Sequence, residues 1–114
     1  MTLAQIIKDF NLEVLTNRTD FSEVVPTGGY VSDLLSCVMA NAKKDNIWVT
    51  LQSHINVIAV AALLELCAVI ITEGASPDQG TIDKANEEGI TILSTNKPSF
   101  EIVGQLWEKG LRTV

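Results

Sequence analysis

Basic residues are scarce in this chain. Lys and Arg number 8 against 14 Asp and Glu, for a formal net charge of −6 and a pI near 4.6. No basic run is longer than Lys43 and Lys44, and no aromatics interleave with Arg or Lys. A nucleic-acid surface needs a cationic footprint, so nucleic acid is not among the expected partners. Cysteine is equally sparse. Cys37 and Cys67 stand among apolar neighbours without CxxC spacing, which argues for buried free thiols in a reducing cytosol and against a disulfide framework. Histidine occurs once, at His54. With no second His or thiol at ligand spacing, no metal or other cofactor is expected. The first residues lack a basic segment and a cleavage site, so no signal peptide is expected. The most apolar stretch, Ile55 to Ile71, is broken by Asn56 and Glu65 and ends in β-branched residues. It reads as a buried helix followed by a strand, not as a membrane span.

What is present is apolar. Hydrophobic residues make up 46% of 114 residues and aromatics only 5%, so Val, Ile, Leu and Ala must build the core. That length suits one domain over residues 1–114. An apolar excess in a small chain also points to a covered surface, and hence to a homodimer.

Thr2 and Gln5 form a capping box ahead of Leu3, Ile6, Ile7 and Phe10 at helical spacing, and Asn11 can close that helix in the left-handed region. Leu12 to Thr16 reads as a strand, and Glu23 to Val25 as a short strand stopped by Pro26. Apolar positions from Val31 to Ala42 predict a helix over Tyr30 to Ala42. Ile47 to Leu51 is a strand. Ser53 is expected to cap a helix to Leu66 that is apolar on nearly every side. Ala68 to Thr72 is a continuous apolar strand of the kind buried in parallel sheets. Ser76, Pro77 and Gln79 read as a helix start, with Gly89 as its end. Ile90 to Ser94 is a strand, and Pro98 opens a last helix with Phe100, Val103, Leu106 and Trp107 on one face. The alternation predicts an α/β fold with a mainly parallel sheet of four or five strands in three layers, helices on both faces.

Ligands of open parallel sheets bind beyond the carboxyl ends of the strands. The candidate site residues therefore come from four loops: Thr27, Gly28 and Gly29; Thr50, Gln52 and His54; Thr72 and Glu73; Thr95 and Lys97. The same Gly, Ser, Thr and Pro residues also suit ordinary turns and caps. Gly28 and Gly29 could aim amides at an anion, or, more simply, give a tight turn with positive φ and allow close strand–helix packing. Neither GxxxxGK nor GxGxxG is present, so a phosphate-binding kinase loop is not expected. His54 beside Ser53 makes no nucleophile–base pair, and Glu73 has no second carboxylate placed by the sequence. No catalytic residues are assigned, and the expectation is a protein that is not an enzyme.

The segments "PTGGYVSDLLS", "WVTLQSHINVIAVAAL", "AVIITEGASPD" and "EEGITILSTNKPSFEIVGQL" together resemble the DRTGG domain family from about Leu12 onward. Thr27, Gly28 and Gly29 match the last three letters of that name. Val25 and Pro26 stand where it has Asp-Arg, so a role tied to those two letters does not transfer. Ala68 to Leu106 also resembles the N-terminal domain of HPr kinase/phosphorylase. The resemblance implies a regulatory or dimerisation module of a bacterial or archaeal cytoplasmic system, acting on itself or on a partner enzyme, hydrogenase-associated or similar. The alternative is a small-molecule sensor that binds a nucleotide or anion at the loop cluster.

Overall fold

The computed structural model describes residues 1–113. In chain order the elements are α1 (Leu3–Asp9), β1 (Glu13–Val14), β2 (Gly28–Val31), α2 (Leu35–Asn41), β3 (Asn46–Thr50), α3 (Asn56–Leu64), β4 (Ala68–Ile71), α4 (Gln79–Glu88), β5 (Ile92–Ser94) and α5 (Ser99–Glu108). One five-stranded sheet runs β1-β5-β4-β3-β2. β2, β3, β4 and β5 pair in parallel, and β1 pairs antiparallel with β5. β3 and β4 are buried at every residue, as strands covered on both faces must be.

Alternation along the strands divides the core in two. Ile47, Val49, Ala68, Ile70 and Leu93 face α1 and α5, where Leu3, Ile6, Ile102 and Leu106 cover them. Trp48, Val69, Ile71 and Ile92 face the other way, under Val38 of α2, Ile58 and Ala61 of α3 and Ala85 of α4. Each of these three helices links a parallel strand to the next one along the sheet. Successive right-handed crossovers stepping in one direction put their helices on one face. α3 lies between α2 and α4, in contact with both. Its apolar residues on several sides are thus used within the domain: Val57, Ile58, Val60 and Ala61 are all buried.

The fold class agrees with the sequence reading, with five strands. Several local expectations do not hold. Glu23 to Val25 is not a strand. The strand is Gly28–Val31, and it takes up the glycines and Tyr30, so α2 begins only at Leu35. Ser53 does not cap α3; Ile55 holds the cap position, and His54 Nδ1 accepts the Asn56 N–H at 3.1 Å. Asp78, not Ser76, caps α4 by accepting the Thr81 N–H at 2.8 Å. Pro98 does open α5, as its cap residue. On α5, Ile102 and Leu106 point inward, whereas Phe100 and Trp107 are exposed. The Thr2–Gln5 capping box, the positive φ at Asn11 and the end of α4 at Gly89 are as read.

Candidate functional site

After β4 the chain turns to α4 on one face of the sheet, and after β5 it turns to α5 on the other. Where neighbouring loops diverge to opposite faces, a crevice opens beyond the strand ends. Here it is a cleft of about 340 Å³, lined by Asn11 and Glu13 on one side and by Gly74, Ser76, Thr95, Asn96 and Lys97 on the other.

The two loops hold each other. The Glu73 N–H donates to the Lys97 carbonyl at 2.9 Å, and the Gly74 N–H to the Thr95 carbonyl at 3.1 Å. Both residues have left-handed φ, 62° at Glu73 and 73° at Gly74. A Cβ at Gly74 would lie 3.2 Å from Asn96 Oδ1, so glycine is required there both for φ and for space. The Thr95 hydroxyl accepts the Lys97 N–H at 3.1 Å. Glu73 Oε2 accepts the Ser99 N–H at 2.9 Å, and the Thr72 and Ser99 hydroxyls are hydrogen-bonded to each other at 2.5 Å.

This end of the sheet is acidic. Glu73 fills the start of α5 and Asp78 the start of α4. The Thr81 backbone amide, with further help from the Thr81 hydroxyl and His54, holds the Asp78 carboxyl below the usual carboxylate range. Asp33 accepts the Thr50 hydroxyl at 2.7 Å and the Leu51 N–H at 2.9 Å. The cation in the crevice, Lys97, lies 3.7 Å from Glu101. The positive ends of α4 and α5 are already matched by the chain's own carboxylates. The crevice offers hydroxyls, amides and one lysine, a set that favours a hydrogen-bonding ligand over a bare anion. Among the described residues no group of three His, Cys, Asp or Glu is arranged to hold a metal ion.

The structure gathers some of the sequence-selected residues and separates others. Thr95 and Lys97 line the crevice, and Thr72 and Glu73 buttress it. Thr50 and Gln52 lie one strand further along, tied to Asp33: Gln52 donates its N–H to the Thr50 hydroxyl at 3.0 Å and its side-chain amide to the Asp33 carbonyl at 3.1 Å. His54 borders a separate shallow depression with Gln52, Ser76 and Asp78. Thr27, Gly28 and Gly29 are at the opposite end, where β2 begins. The expectation that their loop leaves a carboxyl end is corrected. Thr27 Oγ1 donates to the Lys44 carbonyl at 2.9 Å and accepts from Asn46 Nδ2 at 3.1 Å, which ties the start of β2 to the turn before β3. Neither glycine has a positive φ, so no tight turn forms. Gly29 instead permits close approach. Its N–H donates to the Arg112 carbonyl at 3.1 Å, and a Cβ there would lie 3.3 Å from Leu111 Cδ2.

Sequence reasoning missed Asn11 and Glu13 in the crevice, and Asp33 and Ser99 beside the strand ends. The bond between Asp33 and Thr50 follows only from the pairing of β2 with β3. Asn11 and Glu13 reach the crevice only because β1 pairs with β5.

The profile of the DRTGG domain matches residues 5–108. No curated protein matches the chain. Among solved structures it is similar to the CBS and DRTGG domains of the regulatory region of Clostridium perfringens pyrophosphatase, crystallised with the activator diadenosine tetraphosphate. The TM-score is 0.72 at 19% sequence identity, over 90% of this chain and 44% of that one. The chain thus spans less than half of that regulatory region, and the likeness is one of fold. With the profile match running from α1 to the end of α5, the chain belongs to the DRTGG domain family.

Proposed function

We propose that this chain is a non-catalytic regulatory module that works by pairing, with a second copy of itself or with a partner enzyme. Its membership of the DRTGG family carries the reading. The arrangement at the strand ends supports it. The Thr72, Glu73 and Ser99 groups are spent on each other and on the backbone, and none of them forms a nucleophile–base pair with His54. The test is turnover of ATP and pyrophosphate by the purified chain. None is expected. Turnover that survives purification and is lost in Glu73→Gln would overturn the reading.

A second reading, a small-molecule sensor, rests on the divergence of the β4 and β5 loops, which opens a crevice where open α/β sheets bind ligands. Thr95 and Lys97 are the residues to bind such a ligand, and the nucleotide that activates the pyrophosphatase is the first probe. A ligand at about 100 times its dissociation constant stabilises its host by about 2.7 kcal/mol. The sensor reading expects a saturable rise in melting temperature with diadenosine tetraphosphate or simple nucleotides, reduced by Lys97→Ala. No shift with any of them at millimolar concentration counts against it.

A further inference from the structure

α5 carries an apolar stripe along its length that the domain itself covers only in part, through the half-buried Val103 and the Arg112 guanidinium over Trp107. Phe100, Val103, Gly104 and Trp107 follow at i, i+3, i+4 and i+7, which places them on one side of the helix. Phe100 is 92% exposed and Trp107 51%. Together with Val31 at the free edge of the sheet, these residues line a single open groove. Val31 is 46% exposed, because α5 lies over β2 and β3 without reaching past it. α1, on the same face, docks elsewhere, through the Leu3 N–H to the Val24 carbonyl at 2.7 Å.

Gly104 is the informative residue. It sits in the middle of a ten-residue helix, where glycine is less favourable than alanine by about 1 kcal/mol. Nothing among the described residues calls for it: a Cβ at this position would have none of their atoms within 4 Å, and its φ is not positive. A glycine with no use inside the domain, one helical turn after a fully presented phenylalanine, makes a notch beside a knob. A two-fold axis between two α5 helices places each knob in the other's notch, since an isologous contact pairs residue i with j and j with i.

We propose that the α5 stripe is the face on which two copies of this chain associate, with Phe100 of each copy seated over Gly104 of the other and flanked by Val31, Val103 and Trp107. This inference rests on the regulatory reading above, in which the module pairs, and it names the pairing surface. The area suits a dimer. With aromatic side chains of roughly 150–250 Å², the exposed parts of the stripe come to about 400 Å². That is close to the apolar share of the roughly 800 Å² each partner gives to a standard interface. α3 also has an exposed apolar side, Ala59 and Leu63 with Ile55 at its cap, but it carries no glycine notch to receive a knob, and its Val57, Ile58, Val60 and Ala61 are buried within the domain.

The test is sedimentation velocity of the full chain from about 1 to 100 µM. The wild type is expected to be a dimer in that range. Phe100→Asp, and separately Gly104→Leu, should raise the dimer dissociation constant at least tenfold. Neither should lower the melting temperature of the monomer, because one side chain is exposed and the other position is open. The double variant F100A/G104F exchanges knob and notch and should regain the dimer. Leu63→Ser on α3 should leave association unchanged. A dimer insensitive to both Phe100→Asp and Gly104→Leu would overturn the assignment and leave the regulatory reading standing. A wild type that stays monomeric throughout would also overturn it, with a partner enzyme left as the associate. Loss of the regulatory reading itself would show as turnover, which this experiment does not measure.

Discussion

At the scale of single residues, buried hydroxyls and one thiol give the clearest expectations. Thr50 is fully buried and its hydroxyl both donates to Asp33 and accepts from the Gln52 N–H. Thr50→Val keeps the shape but removes both bonds, one of them to a carboxylate, so a loss of about 1–3 kcal/mol is expected in urea denaturation. Cys67 is pushed from an ordinary 9.0 up to about 12, by burial first and by Asp45 second. The unfolded chain ionises this thiol before the folded one does. Its contribution is therefore complete below pH 9.0 and is lost as pH rises from there toward 12. Stability curves of the wild type and Cys67→Ala should converge across that window, and native Cys67 should react with thiol reagents only slowly at pH 8. Gly29→Ala puts a methyl group 3.3 Å from Leu111 Cδ2. Overpacking of about 1–3 kcal/mol is partly offset by the about 0.4–1 kcal/mol gained in the unfolded chain. Adding Leu111→Ala should cancel the overpacking, a coupling that a double-mutant cycle reads. The sequence reading gave the glycine pair both a turn and close packing, and only the close packing is found. Two glycines serve positive φ or close approach equally well, and the choice here is made by Leu111, far along the chain.

At the scale of elements, local signals were legible and contextual ones were not. The continuous apolar runs of β3 and β4 needed no partner to be read, nor did the close of α4 at Gly89 or the capping box of α1. The start of α4 shows the limit. Ser76 and Asp78 are both good caps, and only the path of the loop decides for Asp78. Asp78→Ala should lower the melting temperature, and Ser76→Ala should leave it nearly unchanged. The Asp78 carboxyl is held below its ordinary 3.8 by the Thr81 amide first. Its contribution is present above that value and is lost as pH falls through the depressed one, so Asp78→Asn should flatten the acid limb of a stability–pH curve. α5 misled the reading in another way. Its apolar residues occupy more than one side, and periodicity cannot say which stripe meets the sheet. β2 was displaced because Val24 and Val25 outrank two glycines in strand preference, while pairing with β3 selects Gly28–Val31 regardless.

At the scale of the whole molecule, a parallel sheet with helices on both faces was legible from the alternation of elements, but the strand order was not. That order decides which loops diverge and so where the crevice lies, which is why the candidate list mixed both ends of the sheet. The segment after α5 joins this level of organisation. Leu111 is buried against the core of the α1–α5 face, and Arg112 bonds to the edge of β2. Leu111→Ala should cost about 2–5 kcal/mol, more than its place beyond the last helix suggests, as chemical denaturation would show. The antiparallel pairing of Glu13 and Val14 with Ser94 and Leu93 also bears on biosynthesis. As the chain leaves the ribosome, β2, β3 and β4 can pair in the order in which they are made. β1 emerges before all of them, yet it has no strand to join until β5 appears. Until then α1 holds an apolar face without its full cover, so residues made before β2 are among the last of the domain to find their places, and a nascent chain stalled before β5 is the form a chaperone would be expected to hold.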